Sequence, residues 1–258
     1  MNQPLAYVHP EAKVAEEVVI DPFVSIAKNV EIGKGTWIGS NVTIMEGARI
    51  GENCKIFPGA VISAVPQDLK FAGEDTIVEI GNNTTIREYV TINRATVARG
   101  ATSVGDNCLL MAYSHIAHDC NVKNNVIIGN ACQVAGEVEI DDFAILSASV
   151  LVHQFVHIGA HVMISGGSLV RKDIPPYVKA AREPISYVGI NSVGLRRRNF
   201  EADRINDILE IYRILYSGNY NNSNAMVEIE KEIEASFERD YILEFIKDSK
   251  RGIMRGVN

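Results

Sequence analysis

The sequence predicts a mainly β fold: a parallel β-helix wound from hexapeptides over residues 1–176, then a helical domain over 177–258. Three observations predict it. Aliphatic residues recur at every sixth position. A second series of small or β-branched residues trails the first by four. The pattern ends after Val170, where helical spacing takes over. A period of six is neither the ~3.6 of a helix nor a plain alternation of two, and among repeat architectures it is the β-helix case.

The first series starts at Val8 and Val14 and runs unbroken to Ile62. It resumes in phase at Ile80, Ile86 and Ile92, and again from Val104 to Val170. The second includes Thr36, Val42, Cys54, Val90, Ser114, Cys120, Val126 and Val138. Each member stands two positions before the next rung, so two inward residues flank one outward residue, which makes a short strand. Gly33, Gly51, Gly81 and Gly129 directly follow rungs, and Asn41, Asn53, Asn83, Asn107 and Asn125 stand three after them. Both residue types tolerate positive φ, so both are expected to serve tight corners. The simplest closed form is a triangular prism with three hexapeptides per coil. Each coil hydrogen-bonds to the next at about 4.8 Å, and stability comes from stacking.

Two pauses, 63–79 and 93–103, interrupt the ladder without losing phase and read as loops leaving a rigid prism. Residues 173–176 (DIPP) are expected to end the solenoid. Residues 201–216 then place Ile205, Ile208, Leu209, Tyr212 and Leu215 on one helical face. Residues 223–237 and 240–249 also read as helices.

A net charge of −7 argues against nonspecific nucleic-acid binding. There is no transmembrane-length apolar run and no basic-then-apolar leader, so a cytoplasmic protein is expected. Cys54, Cys108, Cys120 and Cys132 all fall on the inward small position, with no CxxC pair. They read as core fillers, not zinc ligands or disulfide partners.

The stretch 114–120 (SHIAHDC) carries the candidate site. Ser114 and Ile116 point inward, so His115 points out, and His118 and Asp119 fall on the next corner. One coil on from His118 is Gly136, and one further is Gln154. Asp119 stacks with Glu137, and His153 adjoins Gln154. An outward histidine beside an acid, with a glycine N–H one coil away, has the parts for acyl transfer: a base for a hydroxyl, a carboxylate to fix its tautomer and a donor for an oxyanion. No activated Ser or Cys is nearby, which favours direct attack by the acceptor. On the residues alone, two other readings stay open: incidental surface histidines, or a metal site drawn from His115, His118, His153 and His157.

The run 115–120 (HIAHDC), the loop 67–74 (QDLKFAGE), the segment 152–155 (VHQF) and the tail 194–198 (GLRRR) together resemble the acyl-[acyl-carrier-protein]–UDP-N-acetylglucosamine O-acyltransferases, across essentially the whole chain. The resemblance implies a left-handed helix and a homotrimer with sites between subunits. It implies transfer of a 3-hydroxyacyl group from acyl carrier protein to the 3-hydroxyl of UDP-N-acetylglucosamine, the opening step of lipid A biosynthesis, with no cofactor and no metal. His118 then matches the general base, Asp119 its partner and Gly136 the oxyanion donor. Asp68 and Lys70 match contacts to sugar and phosphates, and Gln67 lies on the acyl-donor side. His115, His153, Gln154, Asn191, Arg197 and Arg198 match nucleotide and diphosphate contacts. Gly166 matches the position that sets acyl depth, and a glycine there leaves room for a long chain. Glu137 departs from the family, which often has histidine there; Pro184 and Val193 depart as well. A basic group, Arg171, Lys172, Lys179, Arg182 and Arg196 to Arg198, is expected to receive the acidic carrier protein. The related N-acyltransferases carry an additional N-terminal domain, for which a ladder starting at Val8 leaves no room. The hexapeptide carbonic anhydrases bind zinc through three shared histidines, but here Gln154 occupies the adjoining position.

Overall fold

The computed structural model describes residues 4–218 and 220–256; the outermost ends of the two expected domains, 1–3 and 257–258, fall outside them. The hexapeptides form strands of two to four residues. These assemble into three sheets of nine, eight and ten strands, parallel except for the last strand of the third, a five-residue antiparallel one. Each strand pairs with the third one along the chain, so the first sheet sets Thr91, His115, Gln133 and Leu151 level with one another. Strands His115–Ile116, Asn121–Val122 and Ile127–Ile128 belong to the first, second and third sheets in turn. The chain therefore turns an edge after every strand.

Both inward series are buried. Ile116, Cys120, Val122, Val126, Ile128 and Cys132 are at most 1 % exposed. Each large aliphatic side chain withdrawn from water contributes roughly 1.5–3 kcal/mol. The four thiols lie at 3.0–3.1 Å from carbonyl oxygens of the following coil. Burial pushes Cys108 up to about 11 and Cys120 up to about 12, so these cysteines are core fillers.

The corners divide the expected roles of Gly and Asn. The third residue after most rungs adopts positive φ: Asn41 (61°), Asn83 (55°), Asn125 (58°), and also Asp119 (60°), Glu137 (59°) and Phe155 (66°). The glycines directly after rungs do not. Their reason is proximity, because a Cβ on Gly33 would lie 2.6 Å from the Gly51 carbonyl carbon and one on Gly129 2.6 Å from the Ala148 nitrogen. Along the edge between the second and third sheets, side chains cap the corner amides. Asn82 N–H donates to Asp106 Oδ1, Asp106 N–H to Asn124 Oδ1 and Asn124 N–H to Asp142 Oδ1 (2.6–2.8 Å).

The third sheet runs further than 173–176 suggested. Strand Val178–Ala181 pairs in parallel with Met163–Ile164, and Ser186–Ile190 adds an antiparallel strand. Pro175 and Pro176 form a shortened corner, sixteen residues of register instead of eighteen. Beyond it lie α1 (Ser192–Arg197), α2 (Ala202–Ser217), α3 (Asn222–Glu232) and α4 (Phe237–Asp248). The spacing did not reveal α1, a six-residue turn too short to show a period. Helix α4 starts earlier than expected because Ser236 caps it, its Oγ accepting from Arg239 N–H. On α2, Leu209 is 45 % exposed and Ile211 is buried in its stead.

Asp141 ties the helical domain to the prism. It is 2 % exposed, accepts from Tyr241 Oη of α4 at 2.6 Å, and pairs with His157 Nε2 at 2.8 Å and Lys123 Nζ at 2.6 Å. Burial alone would raise its pKa; His157, Lys123 and Tyr241 outweigh it and hold the carboxyl at about 2. A folded pKa below the unfolded value contributes stability that is complete above about pH 4 and lost as pH falls towards 2, here on the order of 2 kcal/mol. Thermal unfolding across this range should show that acid slope, and Asp141→Asn should flatten it; an unchanged slope in the variant would place the acid sensitivity elsewhere.

Candidate active site

His118 and Asp119 sit on the edge between the first and second sheets. The left-handed backbone at Asp119 turns its carboxylate back under the coil, where it is 0 % exposed. Oδ2 accepts from His118 Nδ1 at 2.8 Å and Thr96 Oγ1 at 2.7 Å. Oδ1 accepts from Thr96 N–H and Arg99 N–H, both at 3.1 Å. A buried carboxylate without partners costs several kcal/mol, and these four donors, about 1.5–3 kcal/mol each, offset it. Burial pulls the Asp119 pKa upwards, but the hydrogen bonds from His118, Thr96 and Arg99 prevail and hold it below its ordinary value. An ionised carboxylate only accepts, so Nδ1 of His118 carries the ring proton and Nε2 presents a lone pair.

Among the described residues Nε2 has no hydrogen bond. Asp68 Oδ2, from the loop after strand Val61–Ala64, is the nearest carboxylate at 4.0 Å. Gly136 lies one coil on: Glu137 N–H donates to the His118 carbonyl, and a Cβ on Gly136 would stand 2.6 Å from His118 Cε1 and 2.7 Å from Nε2. The Gly136 N–H has no acceptor among the described residues, unlike the capped amides of the neighbouring edge. Gln154 follows above, where Phe155 N–H donates to the Gly136 carbonyl. The expected column of His118, Gly136 and Gln154 is thus present, with Glu137 level with Asp119.

The two loops frame this edge. Asn93 Nδ2 donates to the Val65 carbonyl, and the Arg94 guanidinium lies over the Phe71 ring at 5.4 Å, joining the turn 94–100 to the loop 65–76. Asp68 Oδ1 accepts from Lys70 N–H at 2.9 Å, leaving Oδ2 towards His118; Gln67 and Lys70 are exposed. His115 is half-buried on the outward face of its strand, its Nδ1 2.7 Å from Thr91 Oγ1. Burial is the main reason its pKa lies below the ordinary value, with His118 adding to it, which keeps the ring neutral. His153 is exposed, its Nδ1 3.1 Å from the Gln154 carbonyl. The other outward histidines serve the fold: His157 pairs with Asp141, and His161 is stacked between Phe143 and Tyr177.

Comparison with known proteins places the whole chain. Residues 173–254 match the family described as "Udp N-acetylglucosamine O-acyltransferase; Domain 2", and residues 29–64 and 101–136 match the bacterial transferase hexapeptide repeats. The acyl-[acyl-carrier-protein]–UDP-N-acetylglucosamine O-acyltransferase of Burkholderia orbicola is 47 % identical over 195 residues, 74 % of either chain. The chain belongs to this O-acyltransferase family. Among solved structures, the UDP-N-acetylglucosamine acyltransferase of Bacteroides fragilis superposes with a TM-score of 0.98 at 55 % identity, covering 99 % of this chain and 100 % of that one. The Francisella novicida enzyme gives 0.95 at 40 % identity, covering 100 % and 95 %.

Within one O-acyltransferase chain the expected site residues do not all meet. Asn191 is buried, its Oδ1 capping α1 through Gly194 N–H and its Nδ2 donating to the His161 carbonyl. Arg198 lies over Phe143 at 5.0 Å, and Arg197 is exposed beside it. These three gather at the edge between the second and third sheets, one face away from His118. Gly166 stands on the remaining edge, where a Cβ would come to 3.0 Å from the Ala148 carbonyl oxygen. Sequence reasoning missed Thr96 and Thr102, the latter accepting from Asp119 N–H at 2.8 Å. Their signal was the place of the second pause, which falls one coil below Asp119.

The contact between Gly136 and the imidazole is testable. Gly136→Ala should push the His118 ring aside and lower kcat by about a hundredfold with little change in thermal stability. Wild-type kcat in the folded variant would show that the ring tolerates the displacement.

Proposed function

We propose that this chain transfers a 3-hydroxyacyl group from acyl carrier protein to the 3-hydroxyl of UDP-N-acetylglucosamine, the opening step of lipid A biosynthesis. One observation carries the reading: His118 is bound through Nδ1 to an ionised acid while its Nε2 lies against Gly136, whose amide has no acceptor among the described residues. The matched relatives are named for acyl transfer from acyl carrier protein to UDP-N-acetylglucosamine and as a UDP-N-acetylglucosamine acyltransferase.

In this mechanism the sugar 3-hydroxyl gives its proton to Nε2 as its oxygen attacks the thioester carbonyl. The new imidazolium is stabilised by Asp119, and the tetrahedral oxyanion accepts from Gly136 N–H. Collapse breaks the C–S bond, and the imidazolium returns the proton to the departing thiolate. The nearest thiol, Cys120, is buried and pushed up to about 12, which supports direct attack over an acyl-enzyme. Asp68 and Lys70 are assigned to the sugar and its phosphates, which the 4.0 Å approach of Asp68 to His118 Nε2 supports. A homotrimer accounts for Asn191, Arg197, Arg198 and Gly166 lying on other edges, because a neighbouring copy can set its edge beside His118. Arginine forks suit a diphosphate, and the glycine at 166 suits a long acyl chain. The exposed Lys179, Arg182, Arg196 and Arg197 suit an acidic carrier protein.

His118→Ala should lower kcat by about 10²–10⁴-fold while fold and oligomeric state persist, measured with a panel of carrier-protein thioesters against UDP-N-acetylglucosamine and a diamino sugar nucleotide. Turnover near wild type in the folded variant would overturn the reading.

A further inference from the structure

The turn 94–100 leaves the prism at one point only. The register sets Ser103 level with Asn121, so Ala101 lies directly beneath Asp119. The extra residues are inserted at the corner below the acid, and their donors converge on it. Thr96 contributes twice, through its N–H at 3.1 Å from Oδ1 and its hydroxyl at 2.7 Å from Oδ2. The second bond matters most, because Oδ2 is also the atom that accepts from His118 Nδ1. Thr96 is 8 % exposed and is itself held, its Oγ1 accepting from Ala98 N–H at 3.2 Å.

We infer that Thr96 is a positioning residue for the transfer: by sharing Asp119 Oδ2 with His118, its hydroxyl sets how much of the acid's charge reaches the imidazole. The inference rests on His118 being the base. The Thr96 N–H also reaches Oδ2, at 3.2 Å, and donors that share one oxygen divide its negative charge among them. With the Thr96 hydroxyl removed, the charge on Oδ2 acts more fully on the ring. The imidazolium is then favoured, the base is protonated over a wider range, and the acid limb of kcat/KM moves to higher pH. The other charged and titratable groups around the pair are Asp68 at 4.0 Å from Nε2, His115 on the same strand, Glu137 one coil on, and Arg99, whose guanidinium pairs with Glu139. A change at Thr96 alters none of them.

The test is the pH dependence of kcat/KM and of KM in Thr96→Val and Thr96→Ser, with Thr102→Val as a control that touches only the Asp119 amide. Thr96→Val is expected to raise the acid limb by about one pH unit with KM for both substrates unchanged. Thr96→Ser should restore the wild-type profile, and Thr102→Val should leave the limb in place. Should the valine variant not accumulate folded, Thr96→Ala removes the same hydroxyl without added bulk. An unmoved or lowered limb, or a serine variant that behaves like valine, overturns the inference. Activity of His118→Ala would overturn the reading beneath it, so the two failures are distinct.

Discussion

The coil-to-coil ladder is the constraint on which everything else rests. Each short strand takes its hydrogen bonds from the coil before it and the coil after it, in parallel and level, so residues one coil apart, eighteen where no loop intervenes, are fixed one above another. This holds along the whole prism, from Tyr7 level with Ser25 to Leu151 level with Leu169. A prism stabilised by so many identical contacts can bear local expense. Burying Asp119, turning a corner through a left-handed carboxylate residue and leaving a glycine amide uncapped all cost stability. The stacked aliphatic rungs absorb that cost, and the edge is free to carry chemistry.

On that edge, three groups arise from three different causes. The acid is placed by corner geometry, because the third residue after a rung is the left-handed one. The imidazole precedes it and lies along the same corner. The amide comes from the next coil, and only glycine fits there, since any side chain would meet the ring. None of the three depends on a flexible segment. The loops supply what the repeat cannot. Residues 94–100 bring donors to the buried acid, and residues 65–76 bring Asp68 across the open side of the ring.

Much of this was legible in the sequence, for a physical reason. Stacked coils demand the same size and polarity at the same level, so the rungs from Val8 to Val170 could be counted and the column of His118, Gly136 and Gln154 read from the count. Where the reason for a residue was not periodic, the reading fell short. The glycines after rungs are small because coils approach closely, a fact carried by distance and not by spacing. The prolines at 175 and 176 suggested an end, yet a corner needs no ladder N–H from them and the sheet continues to Ile190. Thr96 lies in a turn without period, so only the place of that turn below Asp119 pointed to it, and its bond to the acid did not show. Asn191, Arg197 and Arg198 are joined to the site by resemblance alone, because in one chain they belong to another edge.

The proposed chemistry turns on the protonation of a single ring. Nitrogen-15 NMR of the imidazole of His118, assigned by its loss in His118→Ala, measures it directly in the folded protein at a pH where the ring is neutral. A protonated Nδ1, held by Asp119, and an unprotonated Nε2 facing Gly136 are expected. A neutral ring with its proton on Nε2 would contradict it, since no base would then face the acceptor hydroxyl.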